Sequence, residues 1–302
     1  MSAWPKLVVD DWKDTRDTLH MWAQIVGKVR MELTPLVNHW WNVPLYVSPR
    51  GLTTSAIPYR TGSFEMTFDF IDHELHIDTD RPERRTVALA AKPTAVFYEE
   101  TMAALESLGI EVRILPRPVE VDPSIPFTED YEHASYDPES AQRFWRLLQQ
   151  VDRVLHEFRT RYLGKVSPVH LFWGALDIAV TRFSGRTAPR HPGGAPNCAD
   201  WVMEEAYSHE VSSAGYFAGG GAEGAFYAYA YPEPGGYPDY PVLPAEAAYD
   251  VALGEFLLPY EAVRTADDPR AMLLDFLQTT YSAAADLGKW DRQALERHDM
   301  AY

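Results

Sequence analysis

Apolar positions recur at spacings of three, four and seven through residues 10–33. Trp12, Leu19, Trp22, Ile25, Val29 and Leu33 form one stripe, which predicts an amphipathic helix over that span. Asp10 and Asp11 suit its positive N-terminal end, and Pro35 stops it. The period then changes. Trp40–Val47 reads as a strand and Gly51–Ser55 as a turn. Phe64 to Phe70 alternates strictly, with Phe64, Met66, Phe68 and Phe70 toward a core and Glu65, Thr67 and Asp69 outward. Ile71–Glu74 turns the chain back into Leu75–Asp78, and Thr86–Leu89 adds a strand. A helix opens at Pro93, buries Val96, Phe97, Leu105 and Leu108, and closes at Gly109.

A second stretch follows the same order. Asp137-Pro138 reads as an N-cap followed by proline at the first helical position. The helix it opens carries Phe144, Leu148, Val151, Leu155, Phe158 and Tyr162. Val169–Phe183 reads as one buried strand, bulged at Gly174. Residues 184–200 read as a loop, and Tyr207–Ala214 and Phe226–Tyr231 as strands joined by the glycine-rich 215–224. Glu255–Val263 reads as a last strand before a helix opening at Asp268-Pro269. Helix, strands, helix thus occurs twice, with the Trp-bearing segments 35–41 and 168–173 in equivalent places, so an internal repeat is expected. Hairpins without βαβ alternation give an α+β fold class: two related helix–strands–helix halves with antiparallel sheets, packed into one compact body. The halves are 1–115 and 138–302. The joint is 116–137, where Pro116, Pro118, Pro123 and Pro126 break regular structure.

Composition narrows the partners. The chain has 302 residues, 13% aromatic, and a net charge of −17, which argues against nucleic acid and anionic membrane surfaces as partners. A single cysteine, Cys198, excludes an internal disulfide. No apolar run reaches the roughly 20 residues that span a bilayer. Met1–Lys6 lacks the basic-then-apolar pattern of a leader, so the cytoplasm is the expected location. Oligomeric state is left open.

Several residues stand out as candidate chemistry. His39, His170 and His209 lie at expected strand ends, and Glu210 follows His209. Imidazoles and a carboxylate converging there would suit a divalent metal, Zn, Fe or Mn; the alternative is local hydrogen bonding at each strand end. Asp177 sits in an apolar run and needs a partner, as a general base, as a ligand or in a buried ion pair. Tyr227 and Tyr229 share one strand face and could stack on a ligand, or lie under a helix. Trp40 and Trp41 point to opposite faces of their expected strand, so at most one reaches a pocket. Arg182 and Arg186 are candidates for an anionic substrate group, and His133, among acidic neighbours on the joint, for proton transfer. Cys198 is a weak candidate nucleophile. Phosphate-loop and nucleophile-elbow motifs are absent.

Several strings carry a resemblance: Asn38–Val47, Arg50–Ser55, Phe68–His73, Glu132–Asp137, Phe172–Gly174, Ala179–Arg186, Glu205–Gly215 and Phe226–Pro234. On these the chain resembles, over nearly its whole length, a bacterial family of unknown function. That resemblance supports one structural unit and implies no activity. The expected function is a metal-assisted enzyme acting on a small polar or anionic molecule between the halves. In it Asp177, Glu210 and His133 act in catalysis, Arg182, Arg186, Tyr227, Tyr229 and Trp40 bind substrate, and His39, His170 and His209 bind metal. The alternatives are a non-catalytic binding protein with an aromatic cleft, and a subunit of a larger complex.

Overall fold

A computed structural model describes residues 4–297. Helix α1 (Val9–Leu33) is amphipathic only in its first half. From Met21 to Arg30 every residue is buried, the mark of a helix enclosed on all sides. It packs against α2 (Thr94–Ser107) and α3 (Pro138–Thr160). Trp22 stacks on Phe97 at 4.5 Å between ring centroids and on Tyr136 at 5.7 Å. The Asp137 side chain accepts from the backbone N–H groups of Glu139 and Ser140, with Pro138 at the first turn, as the sequence predicts.

The N-terminal half holds a six-stranded antiparallel sheet. Its strands are β1 (Tyr46–Val47), β2 (Gly51–Thr53), β3 (Ile57–Tyr59), β4 (Gly62–Asp69), β5 (Glu74–Thr79) and β6 (Arg84–Ala88). They run in the order β1-β2-β4-β5-β6, with β3 also on β4. Phe64, Met66, Phe68 and Phe70 are buried as the alternation requires. Asp69, expected to face outward, is fully buried. Its carboxylate accepts from the Arg50 guanidinium and from the backbone N–H of Ile71 and Asp72, which secures the β4–β5 turn. These bonds hold the Asp69 carboxyl below the usual range despite its burial.

The C-terminal half holds a second six-stranded antiparallel sheet, in the order β11-β12-β10-β9-β8-β7. Its strands are β7 (His170–Phe172), β8 (Asp177–Thr187), β9 (His209–Phe217), β10 (Ala225–Tyr231), β11 (Ala248–Asp250) and β12 (Glu255–Pro259). A seven-residue helix, α4 (Asp200–Ala206), precedes β9, and α5 (Tyr260–Thr265), α6 (Pro269–Leu287) and α7 (Arg292–Leu295) follow β12. Helices α3 and α6 cover one face of this sheet. The halves meet where Leu45 and Leu171 exchange backbone hydrogen bonds at 2.9 and 2.8 Å.

Beyond Asp69, other local expectations change: Gly51–Thr53 is strand β2 and not part of a turn, and β8 runs on to Thr187. Val169–Phe183 is a hairpin, not one bulged strand, with its turn at 173–176 and Leu176 at φ 57°. Glu255–Val263 divides into β12 and α5, because Pro259 ends the ladder. Trp40–Val47 is a strand only at Tyr46–Val47, since Asn38–Trp40 is a single 3₁₀ turn with His39 at φ 58° and Trp40 at φ 62°. Two successive residues with positive φ cannot lie in a strand. His39 therefore does not sit at a strand end equivalent to that of His170.

Candidate functional site

Strand β8 has two different faces. Asp177, Ala179, Thr181 and Phe183 line a cavity, while Ile178, Val180 and Arg182 face the helices. The cavity measures about 1210 Å³. Its floor continues across β9, β10 and β12 through Ser213, Tyr227, Tyr229 and Glu255. Its opposite wall comes from elsewhere in the chain: Lys28 of α1, Trp40 and Trp41 of the 3₁₀ turn, Glu120 of the joint and Trp201 of α4. The concavity has mostly apolar and aromatic walls, the usual character of a small-molecule site.

Asp177 has the partner its position demands, and the partner is neither arginine nor histidine. Tyr227 donates its hydroxyl to the Asp177 carboxylate. Register shows how. Tyr227 pairs with Gly215 on β9, and Gly215 pairs with Ala179 on β8, two residues from Asp177. A Cβ on Gly215 would meet the Tyr227 hydroxyl at 2.6 Å and the Ile178 carbonyl oxygen at 2.3 Å. Only glycine lets the Tyr227 ring cross β9 and reach β8. Beside this pair, Tyr229 and Tyr207 hydroxyls meet at 2.8 Å, as do Thr181 and Ser213.

Burial dominates the electrostatics. It pushes the Asp177 carboxyl up to about 6, with the Tyr227 bond opposing the rise. Glu120 and Glu255 are each raised to about 7, first by desolvation and then by the charge of Asp177. Glu120 itself is exposed and lines the cavity, with its carboxylate close to Gly174, where a Cβ would meet it at 2.1 Å. Desolvation also lowers the Lys28 ammonium to about 8. Three carboxyls and an amine that change charge between about pH 6 and 8 in one concavity are what acid–base chemistry near neutrality requires.

The other expected site residues are dispersed. His39 is buried, with Nδ1 donating to the Ala206 carbonyl at 3.0 Å and Nε2 accepting from Lys165 at 2.9 Å, so both ring nitrogens are engaged. His209 is its neighbour, ring centroids 5.7 Å apart. His170 is elsewhere. It pairs with Ala179 on β8 while His209 pairs with Thr187, eight residues further along the strand, a span of about 26 Å at 3.3 Å per residue. Its Nδ1 donates to Pro168 and its Nε2 is buried without a partner. Burial lowers its imidazole to about 4. The set expected for Zn, Fe or Mn is therefore not assembled. No group of three or more His, Cys, Asp or Glu placed to hold a metal occurs among the described residues.

Of these histidines His39 lines the cavity, whereas the remaining polar candidates lie away from it. Glu210 accepts from Ser184 and from Arg186, and Arg186 also donates to the carbonyls of Gly288 and Lys289 beyond α6. That cluster ties β8 and β9 to the end of a helix. Arg182 lies on the helix side of β8, where alternation puts every even position, boxed by Phe158, Tyr281 and Tyr162. His133 is bonded to the buried Asp130 at 2.8 Å, and its backbone carbonyl accepts from Thr94 at the start of α2. Asp130 raises its imidazole; its role there is to anchor the joint. Trp40 and Trp41 both reach the cavity, because a 3₁₀ turn does not alternate. Cys198 lines it as well, its thiol raised by burial.

Lys28, Glu120 and Glu255 were missed from sequence. Lys28 carried a signal: a lysine within Trp22–Val29, a run otherwise poor in charge. Glu120 and Glu255 gave none, because desolvation by residues far off in the chain makes them unusual.

Fold and cavity together define a compact α+β protein with a largely apolar, aromatic concavity over one face of its C-terminal sheet. The chain belongs to a family of unknown function, DUF5996, whose profile matches residues 4–297. No curated protein and no solved structure matches it. Among the described residues no helix is long and apolar enough to cross a membrane.

Proposed function

We propose that this protein is an enzyme that moves protons on a small, largely apolar substrate held in the cavity. Asp177 is the general base and acid, and Tyr227 is the hydroxyl that orients it and shares its proton. The observation that carries this is Asp177 on the cavity floor, bonded to Tyr227, its carboxyl raised toward neutrality and flanked by Glu120 and Glu255. A carboxyl near 6 is mostly ionised at neutral pH yet easily protonated, so it both takes and returns a proton.

Charge selects the substrate. The cavity lining includes Glu120, Asp177, Glu223, Glu255 and Glu261 but no arginine. The Arg264 guanidinium neutralises Glu223 from outside the lining. Neutral or cationic molecules fit better than the anionic substrate expected from Arg182 and Arg186. The apolar lining equally favours a second reading, a carrier that binds such a molecule without changing it.

A panel of apolar amines, alcohols, aldehydes, ketones and acids screened by thermal shift, then by mass spectrometry for turnover, tests both. Stabilisation by neutral or cationic members, with turnover reduced about 100-fold in Asp177→Asn, is the expected result. Binding that survives in Asp177→Asn with no conversion in either protein leaves the carrier. Stabilisation by anions alone would overturn the reading of the cavity.

A further inference from the structure

Helix α1 carries His20, Gln24 and Lys28 at spacings of four, which places them on one face. That face looks at the β7–β8 turn and the joint. The first two residues are used up there. His20 Nε2 donates to the carbonyls of Trp173 at 3.0 Å and Gly174 at 2.8 Å. Gln24 donates to the Val119 carbonyl at 2.8 Å and accepts from the Val119 N–H at 2.9 Å. Lys28, one turn further, has no such partner. Among the described residues its ammonium has neither a hydrogen bond nor a carboxylate within 4 Å; its contact is the Trp173 ring, 5.6 Å to the centroid.

Trp173 can stand there because residue 27 is glycine. A Cβ on Gly27 would lie 2.2 Å from the indole, and the ring is fixed by its Nε1 donating to the Val43 carbonyl at 2.9 Å. The indole thus forms a rigid apolar wall beside the Lys28 stem. Of the six lysines in the chain, Lys28 alone is buried, at 1% exposure, and it lines the cavity. A buried, unpaired amine is costly to keep charged, and structural lysines are paired or kept in solvent. The neutral amine is a nucleophile, and desolvation in an apolar pocket is how lysine is activated toward carbonyl carbon.

We infer that Lys28 is a covalent catalytic residue that forms a reversible imine with an apolar aldehyde or ketone bound in the cavity. The inference rests on the cavity being a small-molecule site and adds the substrate class. The Nζ lone pair attacks the carbonyl carbon, the C=O π bond opens, and the oxygen takes up a proton to give a carbinolamine. Loss of that oxygen as water, with both Nζ protons, leaves C=N. Hydrolysis reverses it, so no oxidant or reductant is consumed. Glu120 feels the charge of Asp177, and Cys198 feels that of both Glu120 and Lys28. Glu120 and Asp177 line the same cavity as Lys28 and can supply and recover the proton.

The test uses the whole chain with 2-naphthaldehyde at pH 8, with and without cyanoborohydride, followed by intact mass and peptide mapping. With cyanoborohydride the expected product is one adduct per chain on Lys28, heavier by the aldehyde less one oxygen atom; without it the imine is heavier by the aldehyde less one water and hydrolyses on work-up. The adduct should form at least tenfold faster than on any of the other five lysines, and should be absent in Lys28→Met and Lys28→Arg. Mapping of wild-type protein decides the matter even if either variant folds poorly. Labelling spread evenly over surface lysines overturns the inference. If that happens while 2-naphthaldehyde still raises the melting temperature of wild-type protein, the cavity reading stands and only the covalent step is lost. If the melting temperature does not rise, both fall.

Discussion

The two faces of the C-terminal sheet are built from the same strands and do opposite things with polar groups. On the helix side, Arg182 is as buried as Lys28, each at 1% exposure. Arg182 is boxed by three aromatic rings and donates to the Phe158 carbonyl. Burial lowers it to about 10, which leaves it charged at neutral pH. On the cavity side, Lys28, Glu120 and Glu255 have no comparable set of bonds, and their charge states shift toward neutrality. Burial alone therefore does not mark a functional group. What separates the faces is that Arg182 is enclosed by aromatic rings and a carbonyl, with its Nε left unpartnered, whereas Lys28 borders open space.

The hardest blow to this contrast would come from Arg182→Ala. It empties a space among Phe158, Tyr162 and Tyr281 and should destabilise the fold by about 3 kcal/mol, read by urea denaturation. Affinity for any cavity ligand should stay within about twofold; a large loss of affinity at unchanged stability would show that the faces are not independent.

Asp177→Asn should give a smaller effect with a distinctive pH dependence. The native carboxyl titrates near 6 instead of its ordinary 3.8, so the folded state holds a proton that the unfolded chain has released. The wild type therefore loses stability as pH rises from about 4 to about 6, whereas asparagine does not titrate. The variant should gain on the wild type by roughly 1–3 kcal/mol between pH 4 and 8. Comparing the two proteins removes His170, whose lowered imidazole acts in the opposite direction, giving up stability as pH falls from about 6.5 to about 4. A pH-independent difference would mean that Asp177 is ionised throughout, and so not a proton carrier.

Least disruptive is Tyr229→Phe, which leaves the Tyr207 hydroxyl without its 2.8 Å partner. About 1 kcal/mol of stability should go, and affinity for cavity ligands should fall with it. Unchanged affinity would confine the ligand to the Asp177 end of the floor.

Legibility from sequence followed the range of the forces. Periodicity located α1, β4, β5, α3 and α6, because a one-faced element repeats its pattern locally. It failed at residues 38–41, where two positive-φ residues make a 3₁₀ turn out of a string that reads as a strand. It failed again at 173–176, where a turn hides inside an apolar run. Within the site, Asp177 and the tyrosines stood out as anomalies of their own strands. The histidines did too, but an imidazole finds partners easily: His170 and His39 bond backbone carbonyls, one nearby and one far off in the chain, and His133 bonds the Asp130 carboxylate. The pairing of Asp177 with Tyr227 depends on strand register across Gly215, and the activation of Lys28 depends on a tryptophan from the other half. Neither is written in any short window of sequence.

Helix α1 comes first in the chain, yet its Lys28 faces a floor whose last strand is β12. A nascent chain therefore carries that amine through almost the entire course of synthesis before the opposite wall exists. A species with only the N-terminal sheet formed has no binding site at all, and long-range closure of this kind is slow. A ligand that recognises the finished cavity can act only on fully folded molecules. At a hundred times its dissociation constant it would hold them against unfolding by about 2.7 kcal/mol. In a cell, the abundance of the protein would then follow the supply of its own ligand.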